Sequence, residues 1–486
     1  MTAVIVLLLA AHSTLAWDSN HAADRASSAF DELQASFWSE ALGLWRSSMW
    51  WQSANTVEVL ANLGLAVPSN KPEIARLLDV VFNATANDTV ARCDVKVDLT
   101  FSGYFDDELW WGIGWLRAHV LTGEARYLNR SRYIFDDIVN RSWSNDSCGG
   151  GACWQATSDL RDMGRCYKNA ITNELFLSLG AQLAQVYELR CQATLRSAPP
   201  ASSLPSSDMP VDCLAAELTA NWAQAEVDWF LKSGLINGSH LINDGLDTFD
   251  NHEEVCMNNR HTAYTYNQGV LLSGLGLLWS RQQRQQRQQR EQRQQRQQRE
   301  QRASRREVWA VDGFGSHRAA SSGVDLLQLA ASIVEAVWSS PLVYKQSGGV
   351  LREMDEPLLE RGTLPNLYDG NPGTDGLQFK SVLLRHLRYL VDAVLDAGGG
   401  SEDKAQAAIA AAGGNLTIWR RRIAQNADTI WEKAACARAV PYAVGAAVEV
   451  PPLFGYLWTG PCAWAFGGPS ATTQTSALDV FVADIW

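Results

Sequence analysis

Apolar residues recur at helical spacing along nearly the whole chain, and they do so in two alternating styles. Leu109 to Leu121, Tyr167 to Leu189 and Tyr264 to Ser280 are apolar on almost every side. Other stretches keep a wet face. In Glu124 to Arg141, residues Tyr127, Leu128, Ile134, Phe135 and Ile138 form one stripe among Arg, Asp and Asn, and Ala215 to Leu231 and Val324 to Trp338 repeat the pattern. A helix without a polar face must be buried all round, whereas an amphipathic one lies between core and water. The alternation predicts a ring of inner helices wrapped by outer ones. No long span alternates with period two, as a half-buried strand does. At roughly 60 to 80 residues per inner–outer pair, 486 residues hold about six pairs. The expected fold is one α/α toroid whose inner helices end at a common mouth, where loops build a site.

The remaining elements follow the same reading. Ser28 to Leu65 reads as helices, with Phe30, Leu33, Phe37, Leu42 and Trp45 at helical spacing and a restart at Ser53-Ala54-Asn55. Pro72 suits the first turn of another helix. Thr374 to Leu395 is largely apolar but holds Lys380, Arg385 and His386; Asp403 to Ala435 holds one or two helices; Thr473 to Ser476 caps a last one ending near Ile485. Arg281 to Arg306 is an Arg-Gln-Gln repeat. A period of three matches no helical face, so a solvated insertion that buries nothing is expected, with a polyanion-binding patch as the functional alternative.

Bulk properties exclude several classes. A net charge of −12 argues against a nucleic-acid partner. Met1 to Ala16 reads as a secretory signal, with a short apolar run and Thr14-Leu15-Ala16 as a cleavage site. Asn83, Asn87, Asn129, Asn140, Asn145, Asn237 and Asn415 each begin an Asn-x-Ser/Thr triplet. No later stretch reaches the ~18 apolar residues of a membrane span, and no lipid-anchor tail is present, so no stable membrane anchor is expected. Nine cysteines suit an oxidising compartment, and the odd count leaves at least one outside any internal bridge. Cys148, Cys153 and Cys166 lie close enough to include a bridge, but connectivity stays open. His252, Cys256 and His261 lack the pattern of a metal centre, and neither metal nor cofactor is expected. Gly149-Gly150-Gly151 has no Lys-Ser/Thr and no preceding strand, which rules out a phosphate loop; a close-packed loop near a ligand is expected instead.

The chemistry concentrates in Tyr104-Phe105-Asp106-Asp107-Glu108-Leu109-Trp110-Trp111-Gly112. Ser102-Gly103 offers a helix start, which puts three acids in the first turn, where free N–H groups and the helix dipole favour ionised carboxylates. Dipole complementation alone would explain isolated acids. Here they open a buried helix beside paired indoles, whose flat faces suit sugar rings. Glu108 is expected to face solvent.

These residues resemble glycoside hydrolase family 76, the α-1,6-mannanases and their fungal cell-wall relatives. The resemblance runs from about Ser28 to Trp486. It rests on Trp50-Trp51-Gln52-Ser53-Ala54-Asn55, the acidic stretch above, Cys148-Gly149-Gly150-Gly151, Lys168-Asn169-Ala170-Ile171-Thr172-Asn173, Asn243-Asp244-Gly245, Thr265-Tyr266-Asn267-Gln268-Gly269 and Thr473-Gln474-Thr475-Ser476-Ala477-Leu478-Asp479. It implies an all-α (α/α)6 barrel in one domain over residues 28–486, interrupted by the insertion at 281–306. It further implies Asp106 as nucleophile and Asp107 as general acid/base. Asn173, Asp244, Asn267 and Gln268 become candidate contacts to α-1,6-mannan, with Trp110, Trp111 or Trp154 as platforms. The family's Phe-Lys-Gly-Ile stretch stands here as Phe379-Lys380-Ser381-Val382, and His386 replaces a usual aromatic.

Retaining hydrolysis of α-1,6-mannosidic bonds is the function this implies. A transglycosylase in wall or glycan-anchor processing would use the same acids, and a non-catalytic mannan binder would not require both. An epimerase would want histidine bases at the mouth, and the eight histidines form no such set.

Overall fold

The computed structural model describes residues 19–86, 91–92, 95–96, 103–156, 166–197, 209–251, 253–304, 324–354, 356, 375–436, 452–460, 462 and 468–486. The predicted signal at 1–16, the Asn87 triplet, Cys93 and His252 lie outside them. Thirteen α-helices run through the described residues: α1 (Ser19–Phe37), α2 (Trp50–Ala66), α3 (Lys71–Thr85), α4 (Phe105–Thr122), α5 (Ala125–Arg141), α6 (Ala170–Ser197), α7 (Val211–Ser233), α8 (Thr265–Ser304), α9 (Leu326–Ser339), α10 (Phe379–Ala397), α11 (Glu402–Ala411), α12 (Leu416–Thr429) and α13 (Ala471–Ala483).

Their packing closes a ring. α2 lies on α4, α4 on α6, α6 on α8, α8 on α10, α10 on α13, and α13 returns to α2. Those six hold the most deeply buried stretches: almost every residue of α13 and of the first half of α6 is buried, while α10 keeps a wet stripe at Asp392 and Asp396. Helices α1, α3, α5, α7, α9 and α12 wrap the outside, and the short α11 lies among α9, α10 and α12. This is the (α/α)6 barrel. Five of the six inner helices point their N-termini toward one mouth, since Trp51, Asp106, Asn169, Tyr266 and Phe379 line a common cleft at or just before the starts of α2, α4, α6, α8 and α10.

Helices buried on every side must neutralise what polar groups they carry. Arg385 sits among Asp479 Oδ2 at 2.5 Å, Glu58 Oε2 at 3.3 Å and the Asn55 side-chain oxygen, joining α2, α10 and α13. Lys380 pairs with Glu356 at 2.8 Å and sits over the Tyr456 and Trp458 rings. His386 meets Ser273 across the α8–α10 interface. Removing one partner from such a buried ion pair strands the other, at about 3–5 kcal/mol. α8 and α10 approach closely: a Cβ added at Gly269 would lie 2.4 Å from the Leu383 backbone.

Four details differ from expectation. Leu42 and Trp45 belong to a short hairpin, Trp38–Ser39 against Leu44–Trp45, turned by Gly43 at φ +62°; their helical spacing was coincidental. A two-stranded hairpin, Gly245–Asn251 with Glu253–Asn258, adds to the pair Lys168–Asn169 to make a three-stranded sheet. Its alternation was too short to register. Helix α4 starts at Phe105 with Tyr104 as its N-cap and no side-chain cap. Its Phe105 N–H instead donates to the Trp154 carbonyl at 2.8 Å. The Arg-Gln-Gln repeat prolongs α8 as helix to Ser304. Arg and Gln are good helix formers, and a buried helix upstream supplies the costly nucleus.

Four disulfides staple the loops: Cys148–Cys256, Cys153–Cys166, Cys191–Cys213 and Cys436–Cys462. No described helix is long and apolar enough to cross a membrane. Gly269 offers a test of the ring. In an ordinary helix Gly to Ala stabilises by about 0.5–1 kcal/mol. Here Gly269→Ala is expected to destabilise by about 1–3 kcal/mol through the Leu383 clash, whereas Gly238→Ala, with open space around it, stays within about 0.5 kcal/mol. Urea midpoints of the two variants check it.

Candidate active site

A cleft of about 630 Å³ opens at the mouth and is lined by aromatic rings and carboxyls. Asp106 and Asp107 both reach it from the first turn of α4. Asp106 Oδ1 accepts the Asp107 backbone N–H at 3.1 Å, and Oδ2 accepts the Trp154 indole N–H at 3.0 Å. Asp107 accepts no hydrogen bond from the described residues, and Asp375 stands near enough to act on it electrostatically.

Burial acts on both acids. It pushes the Asp106 carboxyl up to about 8, with the Asp107 charge adding and the two N–H donors opposing. It pushes Asp107 up to about 7, with Asp375 adding. Adjacent acids titrate as a pair, so the site holds a proton near neutrality. The hydrogen bonds distinguish the two. N–H donors favour an ionised acceptor, and they surround Asp106 alone, although its deeper burial still leaves Asp106 the higher of the two.

The loop from Cys148 to Trp154 sets that geometry. Gly150 and Gly151 adopt φ +141° and +84° and press on the Trp229 ring, where a Cβ would collide at 2.6–2.7 Å. Lys168, fully buried, donates to the Gly151 carbonyl at 2.5 Å. The glycines are thus dictated by Trp229; they do not line the cleft as the expected ligand loop would. Their effect is indirect: the loop delivers Trp154, whose N–H donates to the Tyr167 carbonyl at 2.9 Å. Tyr167 hydroxyl in turn donates to Asp244 Oδ2 at 2.5 Å. Asp244 is held from its main chain too, its carbonyl accepting from Ala170 N–H at 2.7 Å. A Cβ at Gly245 would lie 2.3 Å from the Tyr167 oxygen, so glycine is required beside Asp244.

Of the residues singled out in the sequence, Asp106, Asp107, Trp110, Trp154 and Asp244 line the cleft together. Four do not. Trp111 is fully buried between Trp50 and Trp115. Asn173 is buried and bonds the Ala152 N–H and carbonyl and the Asn169 carbonyl. Gln268 is buried and clamps Ile242 through its N–H and carbonyl, which fixes the approach to Asp244. Asn267 is buried, and neither side-chain polar atom has a hydrogen-bond partner among the described residues. Glu108 does not face solvent. It is fully buried with Arg141 at 3.4 Å, and burial pushes its carboxyl up to about 8. As the fourth residue of α4, Glu108 points back into the wrap, not out through the mouth.

Several lining residues were not among the expected site residues, although Trp51, Tyr266 and Phe379 stand in stretches compared with the family. Trp51 stacks on Trp110 with centroids 5.8 Å apart and donates to Asp375 Oδ1 at 3.3 Å. Tyr266 stacks on Phe379 at 3.8 Å. Glu353 reaches in to accept the Thr265 N–H at 3.1 Å, serving the start of α8 as a cap, and burial pushes it up to about 8. Cys256, weighed as a metal ligand, is bridged to Cys148.

The model of glycosyl hydrolase family 76 matches residues 18–190 and 216–300. A putative mannan endo-1,6-alpha-mannosidase of Schizosaccharomyces pombe is 25% identical over 241 residues, 48% of this chain and 46% of its own length. The mannan endo-1,6-alpha-mannosidase of Saccharomyces cerevisiae is 26% identical over 183 residues, 36% of this chain and 33% of its own length. The chain thus matches a third to just under half of these curated relatives. Among solved structures, an inactive variant of a Salegentibacter alpha-1,6-mannanase, with two consecutive aspartates replaced by alanine, was solved with alpha-1,6-mannotetrose. It covers 96% of this chain and 98% of its own, with a TM-score of 0.59 at 17% identity. Dfg5 of Chaetomium thermophilum, in complex with glucosamine, covers 96% and 90%, with a TM-score of 0.57 at 13% identity.

The raised carboxyls make a stability prediction. A carboxyl whose folded value lies above its unfolded one stabilises the fold fully at low pH, and that stability is lost as pH climbs toward the folded value. For Asp107 the loss runs from about pH 4 to about 7. Asp107→Asn does not titrate, so its Tm relative to the parent is expected to rise from pH 4 to pH 8. A constant difference across that range, by thermal melts, contradicts the assigned burial.

Proposed function

The chain belongs to glycosyl hydrolase family 76, and from that membership we propose that it is a secreted or wall-associated retaining glycosidase acting on α-1,6-linked mannose chains. The observation that carries the reading is the adjacent acid pair in one aromatic cleft, with N–H donors on only one member. Support also comes from the relatives named as mannan endo-1,6-alpha-mannosidases and from the Salegentibacter mannanase, inactive with two consecutive aspartates replaced.

Asp106 is the nucleophile. Its oxygens accept two N–H groups at a helix N-terminus, which stabilises the anion that must meet the anomeric carbon. Asp107 supplies the proton that the pair shares: burial leaves Asp106 the higher of the two, but only Asp106 has N–H donors to hold it as the anion once a sugar needs it ionised. Asp107 gives that proton to the departing glycosidic oxygen as the Asp106–carbon bond forms, then takes one from the water that displaces Asp106. Asp375 is a positioning charge: its carboxylate keeps Asp107 protonated toward neutral pH. The Trp51–Trp110 and Tyr266–Phe379 stacks and the Trp154 ring offer faces for sugar rings, and Asp244 offers a carboxylate for hydroxyls. Secretion is supported by the signal-like start and by Asn83, Asn129, Asn140 and Asn145, whose side chains are exposed.

Asp106→Ala and Asp107→Asn are each expected to lower turnover of linear α-1,6-mannan on the order of 10³-fold. The first product should retain the α-configuration by NMR. Unchanged turnover in both, or an inverted product, overturns the mechanism. Removing the Asp375 charge lowers the Asp107 value, so in Asp375→Asn the alkaline limb of kcat should move to lower pH while KM changes less. An alkaline limb left in place means Asp375 does not tune the acid.

A further inference from the structure

The Arg-Gln-Gln repeat is absorbed by none of this. Residues 281–306 hold ten arginines and two glutamates, a net +8, which leaves −20 on the rest of the chain. The molecule is a strongly acidic body with one basic element. That element is placed rigidly. It continues an inner barrel helix, and its first turns are clamped to the body. Arg281 bonds Glu188 and Glu217, Arg284 bonds Glu188 at 3.1 Å and Asp396 at 3.1 Å, and Arg287 donates to the Ala397 carbonyl. From 286 to 300 every residue is exposed.

Helix geometry distributes the charge. Steps of three residues rise about 4.5 Å and turn back about 60°, so Arg287, Arg290, Arg293, Arg296 and Arg299 wind around the arm. Arg296 pairs with Glu300 at 2.9 Å, while Arg290, Arg293 and Arg299 have no acid partner among the described residues. Charge on every side leaves no face with which to pack on the barrel. The arm leaves from the C-terminal end of α8, about 24 Å along that helix from the mouth, so an occupant there does not block the cleft.

We propose that this arm is a docking element for an anionic polysaccharide, tethering the protein by its rear while the cleft stays open. The chemistry selects that class. The arm from 286 to 300 contains only Arg, Gln and Glu. It has no aromatic ring on which bases stack and no apolar face to enter a bilayer. Glutamine amides both donate and accept, which matches sugar hydroxyls between the charged groups, and the guanidinium forks match sulfate, phosphate or carboxylate. The −20 body repels polyanions everywhere else, which confines binding to the arm. The inference stands independently of the hydrolytic reading.

The test compares the full chain with R290Q/R293Q/R296Q/R299Q, which keeps helix-forming residues and the three clamping arginines. Heparin is the probe, with a DNA duplex and phosphatidylserine vesicles at the same ionic strength as competing classes. The parent should bind heparin in a salt-dependent way. The variant should bind at least about tenfold more weakly at ~0.1 M salt, with a log–log salt slope shallower by about 3, at equal helix content by circular dichroism. Equal binding by both proteins, or duplex or vesicles held as tightly as heparin, overturns the proposal.

Discussion

Where an inner helix is buried on every side, each charge it carries must go either into a buried pair or out through an end. That constraint organises the molecule. Within the ring, Arg385 is closed off by Asp479 and Glu58, and Lys380 by Glu356. At the mouth, helix starts bring unpaired N–H groups and positive dipole ends together, and the carboxyls of Asp106 and Asp107 sit there. At the rear, α8 runs on into water as an arginine-rich arm. Barrel, site and arm are three outcomes of one packing problem.

The mouth does not treat its two neighbouring acids alike. Burial raises both, Asp106 the further, but only Asp106 is given N–H donors. The difference comes from a relay through secondary elements. The disulfide-stapled loop brings Trp154 to Asp106, Tyr167 ties that loop to Asp244, and Gln268 steadies the segment that carries Asp244. Asp107 is left with Asp375 as its electrostatic neighbour. Residues resembling a family's motif thus divide into those that line the cleft and those, such as Asn173 and Gln268, that hold the lining in place. Both kinds recur in motifs, because losing a buried hydrogen-bonding support misplaces the group it supports.

Much of this was legible beforehand. Alternating helix styles sufficed for the barrel, because burial on all sides and burial on one side leave different periodicities. Asp106-Asp107 beside Trp110 marked the candidate site, because dipole complementation accounts for isolated acids but not for acids that open a buried helix beside paired indoles. Short elements were not legible: two- and seven-residue strands carry too few alternations, so Leu42 and Trp45 passed for helix. The repeat misled for another reason. Its period is wrong for burial, but exposure does not prevent a helix when propensity is high and the nucleus is already built.

By itself the amino-acid order determined the class of fold, the family and the position of the acid pair, since each depends on local periodicity or on neighbours along the chain. Only the tertiary structure decided which residues share the cleft. Trp51, Tyr266, Glu353, Asp375 and Phe379 come from distant helix starts and loops, Trp111 turns inward although Trp110 faces the mouth, and Asn173 and Gln268 are buried beneath it. The direction of a side chain on a wholly buried helix is set by what packs against it, and with no polar face to orient the helix, composition holds no record of which side meets the ligand.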